Sequence, residues 1–159
     1  MRRTPCGITA TLLLMLAVPA LAATGWGVRG GFTFDPDQIH VGAHLEGGEL
    51  FHNGIFLPNI EIGFGNDITL VTLNPELVYR FERRSSSGWG FYIGGGLGIN
   101  FWSWDDHHPG RHDSDTDLGL NALGGINRRL GGGDFFFLEL KLGLDDSPDA
   151  KISVGLTFF

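Results

Sequence analysis

The segment Trp89-Gly90-Phe91-Tyr92-Ile93-Gly94-Gly95-Gly96-Leu97-Gly98-Ile99-Asn100-Phe101-Trp102 places large apolar side chains at every second position, namely Trp89, Phe91, Ile93, Leu97, Ile99 and Phe101. Glycine fills Gly94, Gly96 and Gly98 on the opposite parity. An amphipathic helix repeats its apolar residues at three and four positions, whereas a strand with two unlike faces repeats them at two. The segment therefore reads as a long strand with one bulky apolar face and one face of very small residues. Its run of glycines continues a strand with no helix after it, so it is not a phosphate-binding loop.

The same period recurs through the chain in eight runs, at 25–34, 38–46, 55–64, 68–82, 89–102, 115–129, 135–144 and 149–159, separated by Gly, Asp, Asn, Ser and Pro clusters. Apolar residues fix the phase of each run, for example Val28/Phe32/Phe34 in the first and Ile152/Val154/Leu156/Phe158 in the last. The charges, which play no part in that phase, fall on the other parity: Arg29, Glu46, Glu61, Glu76, Arg80, Glu82, Asp115, Asp117, Arg129, Glu139, Lys141 and Lys151. Arg128, at the end of its run, is the exception. Gly25, Gly27, Gly31, Gly42 and Gly63 also share the charged parity.

Eight amphipathic strands close either as a soluble barrel with the apolar face inward or as a membrane barrel with it outward. A soluble barrel would give water a surface studded with glycine, which weakens strands for no packing gain. In the inverted barrel the same glycines line a crowded interior. Ten residues at ~3.3 Å each, tilted by ~45°, rise about 23 Å, matching the ~25 Å apolar band of an outer-membrane barrel. Aromatics also gather at both rims, with Trp26, Phe56, Phe81, Trp89, Phe136 and Phe158 towards one and Phe34, Phe64, Phe101, Trp102 and Trp104 towards the other.

Around this repeat, the composition sets the compartment. Arg2 and Arg3 precede the apolar stretch Leu12-Leu13-Leu14-Met15-Leu16-Ala17-Val18, then Pro19 and Ala20-Leu21-Ala22, which is the layout of a secretory signal over residues 1–22. Cleavage after Ala22 leaves a barrel domain over 23–159, 137 of the 159 residues. The only cysteine, Cys6, lies ahead of the apolar core and leaves with the signal, so it is no lipoprotein anchor and the mature chain has no disulfide. No stretch reaches the ~20 apolar residues of a spanning helix. With 18 acidic residues against 11 basic ones, two of them in the signal, a nucleic-acid partner is excluded.

The ending Lys151-Ile152-Ser153-Val154-Gly155-Leu156-Thr157-Phe158-Phe159, together with the strand from Trp89 to Trp102, resembles the small eight-stranded bacterial outer-membrane barrels of the OmpA-domain and OmpX type. The resemblance covers nearly all of the mature chain, as a pattern and not a unique motif. It implies an all-β, antiparallel, up-and-down transmembrane barrel in the cell outer membrane, monomeric, with both termini periplasmic. It further implies contact with outer-membrane lipid and lipopolysaccharide, and delivery by the barrel-assembly machinery through the C-terminal strand. That family usually ends on a phenylalanine in phase with the strand; here Phe158 holds the phase and Phe159 lies one residue beyond it. The outward connections are then 35–37, 65–67, 103–114 and 145–148, and the inward ones 47–54, 83–88 and 130–134.

Charged side chains inside a barrel must be paired to be tolerated. Arg29, His40, His44, Glu61, Glu76, Arg80, Glu139 and Lys141 read as a polar network filling the lumen, with Arg129 and Lys151 as further counter-charges. That gives a plugged barrel with a structural or surface-interaction role and no catalytic residues. The alternative is a lipid-modifying enzyme, with a histidine as general base, Glu61 orienting it and Thr72 as a poor nucleophile. A narrow pore is a third reading, disfavoured because eight strands leave an interior that side chains fill. Pro58 and Pro75 lie mid-strand on the lipid-facing parity, and if Phe64 pairs with Thr69 they stand opposite each other, marking a lateral seam with missing ladder bonds beside which lipid would gain access. His107, His108 and His112 among aspartates hint at a metal site. However, Asp113-Ser114-Asp115-Thr116-Asp117 departs from a calcium loop at Leu118, where glycine is needed, so the 103–114 loop reads as a solvated acidic loop without metal or cofactor.

Overall fold

The computed structural model describes residues 24–65, 68–81, 88–104 and 114–159. Residues 1–23, which include the signal assignment, and the histidines of the 105–113 segment lie outside them. Strands β1 (Gly25–Phe34), β2 (Gln38–Glu46), β3 (Glu49–Phe51), β4 (Gly54–Phe56), β5 (Asn59–Gly65), β6 (Ile68–Asn74), β7 (Glu76–Arg80), β8 (Trp89–Trp104), β9 (Ser114–Arg129), β10 (Phe135–Asp145) and β11 (Ala150–Phe158) follow in chain order. β4 and β5 form one barrel strand interrupted at Leu57-Pro58, and β6 and β7 another interrupted at Pro75. Proline carries no amide hydrogen for the ladder, which is why two runs that the hydropathy pattern reads as continuous are split. The connection at 47–54 is not a plain loop: Glu49–Phe51 folds back on Gly54–Phe56 as a short hairpin.

Eight antiparallel barrel strands close because β1 pairs with β2 on one side and with the C-terminal β11 on the other. Walking the register from Thr33 through Gln38 arrives at Gly65 of the third barrel strand. Walking the other way, through Lys151, Lys141, Leu123, Gly94 and Val78, arrives at Ile55. This ten-residue stagger, at ~3.3 Å per residue around eight strands ~4.8 Å apart, tilts the strands by about 41°. Such a tilt lies inside the ~35–45° range of outer-membrane barrels. β8 and β9 stay paired from Trp89↔Arg128 to Ser103↔Ser114, while β10 stops pairing with β9 at Asp145↔Leu120.

The faces are inverted relative to a soluble protein. Ile39, Phe91, Leu118 and Leu144 are at least 60% exposed, whereas Glu61, Glu76, Glu139 and His40 are at most 1% exposed. Rim aromatics pack in pairs, Trp26 against Phe158 and Tyr79 against Phe81 at the end holding the termini, Phe32 against Phe34 and Trp102 against Trp104 at the other. Arg128, the parity exception, lies over the Trp89 ring at that first rim. Phe159 leaves the strand, packs on Phe135 and donates its amide to Asp134.

Candidate functional site

The interior is built around β1, whose glycines let neighbouring side chains pass. Gly31 pairs with His40 on one side and Ser153 on the other, and Gly27 pairs with His44 and Thr157. A Cβ on Gly27 would collide with the His44 ring, and one on Gly31 with the Ile152 carbonyl. With those positions bare, the His40 ring crosses β1 to hydrogen-bond Ser153 at 2.9 Å through Nε2, while Nδ1 meets Thr33 at 2.9 Å. His44 does the same with Thr157 at 2.9 Å. Both imidazoles thus tie β2 to β11 across the strand between them.

Mid-barrel, three cations meet three carboxylates. Glu61 is contacted by Lys151 at 2.8 Å, Lys141 at 3.3 Å and Arg29 at 3.4 Å. Lys141 also pairs with Glu76 at 2.6 Å, and Arg29 with Glu139 at 3.0 Å. Neutral groups extend the set: Asn59 donates to Glu76, Asn74 to Asn59, Thr72 to Glu61 and Tyr92 to Glu139. Such pairing is what makes buried charge tolerable, since each ion taken from water alone costs several kcal/mol. Nearer the termini, Arg80 grips Glu46 through both guanidinium Nη atoms.

Of the residues expected in the lumen, Arg29, Glu61, Glu76, Glu139 and Lys141 form one ionic cluster, Arg80 forms a separate pair with Glu46, and His40 and His44 bind hydroxyls. Arg129 is exposed at the rim, because its strand ends there, and does not compensate the interior acids. Both ring nitrogens of His40 are taken by Thr33 and Ser153, so the combination of histidine base, Glu61 and Thr72 is not assembled. Sequence reasoning also passed over an apolar layer on the inward parity, in which Ile55, Leu57, Val78, Tyr92, Leu123 and Phe137 cluster below the charges. Its signal was available, since these large residues share the parity of the buried charges. Arg29 lies 5.3 Å over the Phe137 ring, and the space left among Arg29, His44, Tyr92 and Phe137 is about 20 Å³, the scale of one water molecule.

The register settles where the prolines cost hydrogen bonds. Asn59↔Asn74 and Phe56↔Leu77 bracket Pro58 and Pro75, placing them directly opposite each other. The Leu57 amide donates to the Glu76 carbonyl at 2.8 Å, so the seam between them keeps its ladder. Pro58 instead points its backbone at Leu45, whose amide donates to the Pro58 carbonyl, and Pro75 points at Leu97, whose amide donates to the Pro75 carbonyl. Each bond lacks its reciprocal, so the losses fall on the two flanking seams. On the outer wall at this height is a depression of about 330 Å³ lined by Ala43, Leu45, Pro58, Ile60, Leu73 and Pro75.

No protein-family model and no curated protein sequence matches the chain. Among solved structures it is similar to Neisserial surface protein A, with 13% identity and a TM-score of 0.65 over 84% of this chain and 93% of that one. It is also similar to the N-terminal β-barrel domain of Pseudomonas aeruginosa OprF, with 12% identity and a TM-score of 0.67 over 86% and 97%. The Yersinia pestis outer membrane protein Ail aligns with 11% identity and a TM-score of 0.51 over 84% and 97%. Inverted faces, ten-residue stagger and these likenesses together give the chain the fold of the small eight-stranded outer-membrane β-barrels.

Proposed function

We propose that the chain is an integral outer-membrane barrel whose lumen is closed by its neutral ionic cluster, and that it serves as a structural or surface-interaction scaffold rather than as a channel. The observation that carries this reading is Glu61, held by three cations from three other strands at the middle of the bore. Moving an ion through that point requires separating buried pairs, which is costly when one partner is left alone. Both termini share one end, taken as periplasmic, with β11 and its terminal aromatics as the segment offered to the barrel-assembly machinery. Outer-membrane lipid and lipopolysaccharide surround the monomer. Planar-bilayer recording of the purified protein is the test: the expected trace lacks long-lived openings of nanosiemens size, and such openings would overturn the closed lumen.

Lipid chemistry as a second reading draws support from the depression beside Pro58 and Pro75. The lumen behind it is occupied by Asn59, Asn74 and Glu76 in mutual hydrogen bonds, which supports a lipid held on the wall and not one turned over inside.

A further inference from the structure

The outer wall is low at one place. Register rows run Ala43–Ile60–Leu73 and Leu45–Pro58–Pro75 across three adjacent barrel strands. Alanine and the two proline rings are short, whereas the rows on either side carry Val41, Ile62 and Val71 above and Phe56 and Leu77 below. The result is the 330 Å³ depression, walled by taller side chains and floored by sheet. It lies between the two aromatic rims, where the surrounding medium is hydrocarbon, so a flexible apolar chain is the species that fills it.

We propose that this depression is a binding site for one acyl chain of a glycerophospholipid whose headgroup sits at the end holding the termini. Charge selects that end. The termini rim balances Arg80, Arg128 and Arg129 against Glu46, Glu49 and Asp134 among the described residues. The opposite end carries Asp35, Asp37, Asp115, Asp117, Asp145, Asp146 and Asp149, with no Lys or Arg beside them among the described residues. A phosphate headgroup is repelled from the second end and not from the first. The two missing ladder bonds, at Leu45 and Leu97, flank the same place. This site is independent of whether the lumen conducts.

The experiment refolds the full barrel into phosphatidylethanolamine/phosphatidylglycerol bilayers, releases it in mild detergent and counts retained lipid by native mass spectrometry. Wild type is expected to retain one phospholipid. Ala43→Phe fills the depression and should lower retention at least tenfold, while Ala122→Phe, an outward alanine on β9 away from it, should leave retention unchanged. Heat-modifiable mobility on gels establishes that each variant is folded, and Ala43→Leu serves as a milder filling variant if Ala43→Phe does not fold. Equal retention by a filled variant and wild type overturns the site. Loss of the phospholipid to added lipopolysaccharide, with lipopolysaccharide retained in its place, overturns the assignment to the termini-side leaflet.

Discussion

His40 and Ser153 belong to strands that are not neighbours, yet they share a 2.9 Å hydrogen bond over Gly31 of the strand between them. Two adjacent glycines therefore have opposite sensitivities. At Gly30, on the outer face, the nearest atom to an added Cβ is 3.4 Å away, whereas at Gly31 the Ile152 backbone occupies the space. Gly31→Val is expected to destabilise the barrel by at least ~1–3 kcal/mol, the usual range for overpacking, while Gly30→Val stays within about 0.5 kcal/mol. Urea titrations of the refolded protein in lipid bilayers measure both, and equal losses would contradict the crossing geometry.

Leu140 is 46% exposed on the outer face of β10 and Asn121 is 8% exposed on the inner face of β9. Leu140→Arg places a charge in hydrocarbon and should cost about 2–4 kcal/mol, whereas Asn121→Ser should be far milder. The same titration reads both, and equal tolerance would argue for a soluble barrel.

Glu61→Gln removes the charge shared by Lys151, Lys141 and Arg29. Leaving buried cations short of a partner should cost about 3–5 kcal/mol. Glu46→Gln, whose partner Arg80 has a side chain 24% exposed, should cost nearer ~1 kcal/mol. A larger loss for Glu46→Gln would mean that the charge balance is centred on the rim and not mid-barrel.

Restoring an amide at either proline should strengthen the wall. Pro58→Val returns a donor to the Leu45 carbonyl and Pro75→Val returns one to the Leu97 carbonyl, each worth about 0.5–1.5 kcal/mol. Because the bonds lie on different seams, the new amide at position 58 should be protected together with slower exchange in β2, and the one at position 75 together with slower exchange in β8; slowing confined to the seam between the two positions would contradict the register.

Parity made most of the architecture legible. A two-residue period separates Glu61 from Ile60 and Ile62 whatever the strand order, and the pairing of Phe64 with Thr69 was enough to bring Pro58 to Pro75. Partner choice inside the lumen was not legible, because it depends on stagger. Glu61 meets Lys151 across the bore, and His40 reaches Ser153 instead of Glu61, only once ten residues of offset have been distributed around the ring. The inward apolar layer at Val78, Tyr92 and Phe137 was hidden for a different reason: reading the inner face by its charges directs attention away from large residues on the same parity.

The unequal ends of the barrel have a mechanical consequence. β8 and β9 are 16 residues each, and β9 runs past β10 at the loop end. At ~3.3 Å per residue and the tilt above, Trp104 and Ser114 stand about 13 Å higher than Thr33. The two strands thus stand above the opposite side of the cylinder, with Trp102 and Trp104 stacked on each other near the top of β8. With the termini on the periplasmic side, as proposed above, a macromolecule approaching from the other side would meet Trp104 before it meets Thr33.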